Sequence, residues 1–145
     1  MTGTIPSTIG QLSSLGYLYL SSNQLIGTIP STVGQLSSLQ QLYLDDNLFT
    51  GTIPSSIGQL TSLQGLWLFE NQLTGTIPST IGQISSLQYL SLHINQLTGV
   101  VPSSLCQLSY LTDLWFRDNP LQCYPICLLS RVQLYLHAGS TPICV

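Results

Sequence analysis

The chain repeats itself every 24 residues, and that period leaves little freedom in how it folds. Leu12, Leu36, Leu60, Ile84 and Leu108 share one phase of the repeat, and Asn23, Asn47, Asn71, Asn95 and Asn119 share another. A third phase is an Ile-Pro or Val-Pro pair ending at Pro6, Pro30, Pro54, Pro78 and Pro102. One unit is too short to bury its own apolar face, so the units must stack into a solenoid with a continuous core. In the unit 60–83 the apolar positions are Leu60, Leu63, Leu66, Leu68, Leu73, Ile77, Pro78 and Ile81. Leu66 and Leu68 alternate with Gly65, Trp67 and Phe69, the period of a strand with one buried face. The asparagines follow these strands. A buried amide needs partners, so the column reads as a ladder bonded to the turn backbone. None of the five begins an Asn-X-Ser/Thr sequon, and N-glycosylation is not expected.

Charge is scarce. Only 5 % of residues are charged, where about 25 % is usual. Two basic residues cannot neutralise a phosphate backbone, which excludes nucleic acid as a partner. No apolar run is long enough to span a membrane. The N-terminus lacks the basic and apolar regions of a signal peptide and reads like the second half of a repeat. The chain is therefore expected to be a mature or trimmed piece, or to continue upstream. Its first coil, with Ile5 and Ile9, is expected either to self-associate or to meet a missing cap.

Cys106, Cys123, Cys127 and Cys144 all lie in the last 40 residues. An even number clustered at one end points to a disulfide-stapled cap and an extracellular or secretory compartment. Zinc is disfavoured, because Cys106 and Cys144 supply no second close-spaced pair; no metal or cofactor is expected. Four cysteines allow three pairings. Counting repeat positions brings Cys106 nearer Cys127 than Cys123, which favours Cys106–Cys127 with Cys123–Cys144.

The pattern Leu-x-x-Leu-x-x-Leu-x-Leu-x-x-Asn-x-Leu-x-Gly-x-Ile-Pro-x-x-Ile-Gly-x resembles the plant-type leucine-rich repeat. Gly27, Gly51, Gly75 and Gly99 match its first glycine, and Gly34, Gly58 and Gly82 its second. The family includes receptor-kinase ectodomains, polygalacturonase-inhibiting proteins and a few antifreeze proteins. The resemblance implies an α/β-type, right-handed solenoid. It would carry a parallel β-sheet on the concave side, a short second strand before each Ile-Pro, and 3-10 or helical turns on the convex side. Residues 1–121 would form the array, its first coil partial, and 122–145 a cysteine-containing cap. The family's N-terminal cysteine-bearing cap is absent, and Asn119-Pro-Leu-Gln-Cys replaces the Gly-x-Ile-Pro half at the other end.

Outward strand positions form columns across the coils. One reads Tyr19, Tyr43, Trp67, Ser91, Trp115; the one before it Tyr17, Gln41, Gly65, Tyr89, Asp113. The two that follow read Ser21, Asp45, Phe69, His93, Arg117 and Ser22, Asp46, Glu70, Ile94, Asp118. With strands about 4.8 Å apart, the aromatic column spans roughly 19 Å. All five acidic residues of the chain fall in these columns, with seven of its twelve aromatics. Propensity alone favours Tyr and Trp on strands, and cross-strand stacking stabilises a sheet. The concentration of rings and charge nonetheless marks this as a binding face for a protein or glycan. Anionic pectin is disfavoured, because the carboxylates repel it. The acidic residues are read as a solvated patch, not a metal site.

A second array lies before Ile-Pro: Thr2 and Thr4, Thr28, Thr50 and Thr52, Thr74 and Thr76, and Thr98, interrupted by Ile26 and Val100. Two flat rows are expected, ~6.6 Å apart along the strand and ~4.8 Å between coils. Such a ridge resembles the ice-binding face of certain antifreeze solenoids, an alternative to the concave face. A passive segment of a larger receptor or adhesin is the third reading. No nucleophile elbow, phosphate loop or metalloprotease motif occurs, and His93 lacks a nucleophile beside it. An enzyme is not expected. His137 reads as a surface residue of the cap.

Overall fold

The structure, a computed structural model, describes residues 1–131 and 135–144. Within the segment 122–145, residues 132–134 and 145 therefore lie outside the described residues. The chain winds as a solenoid. Strands Tyr17–Tyr19, Gln41–Tyr43, Gly65–Trp67, Tyr89–Ser91, Asp113–Trp115 and Tyr135–His137 form one six-stranded parallel sheet. The other side carries two three-stranded sheets: Thr2–Gly3, Gln24–Thr28 and Leu48–Thr50, then Thr74–Thr76, Gln96–Val100 and Leu121–Cys123. Between them run 3-10 turns such as Ser55–Gln59 and Ser79–Gln83. Each follows a proline in extended conformation, whose fixed φ sets the chain's entry into the turn.

The leucine and isoleucine phases fill the core. Leu36, Leu60, Ile84 and Leu108 are buried, whereas Leu12 in the first coil is 49 % exposed. The asparagine ladder is built as the sequence implies. Asn71 accepts a bond from the Phe49 N–H at 3.0 Å and donates to the Leu44, Leu68 and Phe69 carbonyls. Each amide thus ties its own turn to the coil before it. On the convex side hydroxyls replace charge as fasteners: Ser56, Thr80 and Ser104 donate to the carbonyls of Ser31, Ser55 and Ser79 at 2.6–2.7 Å.

Close stacking of the 3-10 turns depends on glycine. A Cβ on Gly58 would lie 2.4 Å from the Thr80 carbonyl oxygen. Cys106 occupies that same phase, so the next coil cannot stack in the same way. The structure joins it instead to Cys127, and Cys123 to Cys144. Strand Tyr135–His137 then pairs with Asp113–Trp115 two residues out of the 24-residue phase, Trp115 opposite His137.

Just after each concave strand one residue sits in the left-handed region: Ser22, Asp46, Glu70, Ile94 and Asp118, all with φ of 52–56°. The last expected column is therefore a row of turn residues. Ile94 is the costly member, because a β-branched side chain resists positive φ. Ile94→Asn is expected to stabilise the protein by about 1 kcal/mol, raising the thermal midpoint by about 3 °C.

The threonine ridge departs from the expected lattice. On that side the register advances 22 residues per coil, pairing Thr28 with Thr50, Thr52 with Thr74 and Thr76 with Thr98. The two rows become a slanted staircase, because each strand hydrogen-bonds to its neighbour two residues out of the repeat's phase. Thr50, Thr74 and Thr98 donate their hydroxyls to the carbonyls of Gly27, Gly51 and Gly75. The methyls of Thr28, Thr52 and Thr76 lie against Gly51, Gly75 and Gly99, each with φ near 75° and no room for a Cβ.

Candidate functional site

The concave sheet brings most of the aromatic columns together, in two stacks. Tyr19 meets Tyr43 edge-on at 4.8 Å, and Tyr43 lies parallel to Trp67 at 3.9 Å. Trp67 leans back over Gly65, whose missing side chain provides the space: a Cβ there would be 2.1 Å from the indole. That tilt brings Trp67 onto Tyr89, stacked at 6.0 Å. The second stack runs Phe69 on His93 at 4.5 Å, then His93 tilted against Trp115 at 5.6 Å, then Trp115 on His137.

The stacks part at Ser91. It stands in register between Trp67 and Trp115, where the column elsewhere holds a ring. Ser91 is 6 % exposed and bonds His93 Nδ1 at 3.0 Å. Above it opens a groove of about 400 Å³, walled by Trp67, Tyr89, His93 and Trp115, with Asp113 at its side.

The acidic residues do not act as one patch. Asp45 is 8 % exposed and accepts a bond from the Ser21 hydroxyl at 2.7 Å, so it serves the sheet more than the solvent. Asp118 pairs with Arg117 at 3.1 Å, and the Arg117 guanidinium hangs 5.9 Å from the Trp115 ring. Asp46 and Glu70 are exposed on the turns, and Asp113 lines the groove. Tyr17 stands at the exposed end of the sheet, bonded to Gln40 and beside Tyr19.

Ser91 and His137 were the residues that sequence reasoning undervalued. Ser91 is visible as the one small residue in a column of rings. His137 is not, because the two-residue slip of the last strand moves it from the Asp113 column to the Trp115 column. It is a stacking member of the face, not a free surface residue.

Burial holds the His93 pKa below its ordinary 6.5, and Arg117 adds to that; Glu70 and Asp118 oppose it, and His137 again lowers it. The unfolded chain therefore takes up the proton at higher pH than the folded one, so stability rises with pH in that window. Stability should be intact above about 6.5 and fall on acidification through the folded-state pKa. Urea midpoints compared at neutral and mildly acidic pH should show the loss, and His93→Gln should reduce it.

The comparisons agree with this architecture. The family model described as a leucine-rich repeat region matches residues 1–122. No curated protein sequence matches the chain significantly. Among solved structures it is similar to the ectodomain of the plant membrane receptor kinase GASSHO1/SCHENGEN3 from Arabidopsis thaliana, in complex with Casparian strip integrity factor 2. Identity is 40 % over 92 % of this chain and 16 % of that one, with a TM-score of 0.89. The ectodomain of the Arabidopsis receptor kinase HAESA, in complex with an extended IDA peptide hormone ligand, is 35 % identical over 92 % of this chain and 23 % of that one, at TM-score 0.87. A leucine-rich repeat protein of Leptospira interrogans is 37 % identical over 97 % of this chain and 35 % of its own, at TM-score 0.80. The chain spans well under half the length of each.

Proposed function

The chain belongs to the leucine-rich repeat family, and on that premise we propose that it is a non-enzymatic module that binds a protein ligand in the concave groove over Ser91. The observation that carries this reading is the break in the aromatic column. A sheet built only for its own stability gains from a ring at every position; here a buried serine leaves a slot between two indoles. The complex of a similar ectodomain with a peptide hormone ligand supports a protein or peptide occupant. The similar receptor ectodomains, together with two disulfides, support an extracellular or secreted setting. A glycan is disfavoured because the ring faces are largely taken up by one another, which leaves little open face for a sugar to stack on.

The test is selection of a random peptide display library on the immobilised protein. Enriched peptides should bind with saturable affinity and shift the tryptophan fluorescence. Failure of selection, with binding to neutral oligosaccharides instead, would overturn the reading. The threonine ridge is assigned a fastening role, since its hydroxyls and methyls engage neighbouring coils. On that assignment the protein should show no inhibition of ice recrystallisation; measurable inhibition would return these exposed threonines to the ice-binding reading.

A further inference from the structure

The groove has a chemistry more specific than shape. Asp113 lies in register between Tyr89 and Tyr135, as Ser91 lies between Trp67 and Trp115. One face of Tyr89 is stacked on Trp67, and its next neighbour in the column is the short Asp113. A π surface and a carboxylate therefore meet at one wall. Among the described residues the one carboxylate–cation pair is Arg117–Asp118, so Asp113 draws no neutralisation from it. His93, on the opposite wall, is held toward its neutral form by burial. The groove thus offers rings and negative charge to whatever enters it.

Resting on the concave-face reading above, we propose that this groove takes an arginine side chain of the partner protein, its guanidinium laid on Tyr89 and paired with Asp113. A guanidinium is planar, weakly hydrated and able to stack while it donates to a carboxylate. An ammonium satisfies the carboxylate but gains less from the flat wall. A neutral side chain fills the slot but leaves a partly desolvated carboxylate without a partner.

The test is an NMR titration of the full chain, following the indole N–H signals of Trp67 and Trp115. The probes are N-acetyl-arginine methylamide and its citrulline and lysine analogues. The arginine probe should shift both indoles saturably and bind at least about fivefold more tightly than citrulline, as expected for a charge-assisted pair. Asp113→Asn should erase that preference, and Tyr89→Leu should weaken the arginine probe toward the level of lysine. Equal binding of arginine and citrulline would overturn the arginine assignment and leave the concave-face reading intact. No shift with any of these probes, while selected peptides still shift the indoles, would do the same. If neither probes nor peptides perturb the indoles, both readings fall.

Discussion

Replacing Asn95 by alanine should cost about 3–5 kcal/mol, a loss that the equally bonded and buried Asn47 should match. Asn95 is buried, and its amide holds four backbone groups: the Leu73 N–H at 3.0 Å, and the carbonyls of Leu68, Leu92 and His93. Alanine leaves those groups shut away from water, and each buried orphan costs about 1–3 kcal/mol. Two of the bonds reach the preceding coil, so the loss falls on the coupling that makes a solenoid cooperative. Asn23 is the internal control. It is only half-buried: its amide N–H groups donate to Leu20 and Ser21 within its own turn, and its one bond to the preceding coil, accepted from the Met1 ammonium, is exposed to water. Asn23→Ala should cost about 1 kcal/mol. Urea unfolding of both variants checks the ordering; equal losses would remove the argument that inter-coil bonds dominate.

Trp67→Ala together with Trp115→Ala should weaken ligand binding by several hundredfold. Central, half-buried tryptophans contribute about 2 kcal/mol each at a protein interface, or about 30-fold apiece. The two indoles stand two strands apart on either side of Ser91, so their losses should nearly add. Both should also cost the fold some stability, since Trp115 stacks on His137 as Trp67 does on Tyr43. Trp67 covers Gly65 and stacks on Tyr43 at 3.9 Å, so its removal should also destabilise the sheet by about 1 kcal/mol beyond lost burial. Isothermal titration of each single variant with a selected peptide, beside its thermal midpoint, separates the two effects.

The fold was legible in the sequence because repetition amplifies weak signals. One Asn or one Ile-Pro says little, but five in phase leave a stacked solenoid with an amide ladder, and the ladder has the expected partners. What the period could not give was anything set by side-chain direction or by a slip in register. The 22-residue register on the threonine side comes from backbone hydrogen bonding, which a column of letters does not show. Gly65 is only one letter of its column in the sequence; in the structure it is where Trp67 rests. Asp45 looked like part of an acidic surface, but the Ser21 hydroxyl one coil away draws it into the sheet. The ring-and-acid character of the face was readable from Trp67, Tyr89, Asp113 and Trp115. Ser91 marks the gap in the aromatic column, but the slot's shape was not readable, because it depends on Trp67 leaning over Gly65.

The central claim is that the gap at Ser91 is a binding site and not a flaw in a decorative stack. Ser91→Trp tests it most directly, since it fills the slot and restores the column's run of rings, giving up only the hydrogen bond to His93. The measurement is the dissociation constant of a selected peptide for Ser91→Trp against the unaltered protein, with the unfolding midpoint of each. The account predicts at least about a tenfold loss of affinity, the effect of losing one anchor pocket, with the midpoint unchanged or raised. Undiminished affinity in a folded Ser91→Trp protein would contradict it.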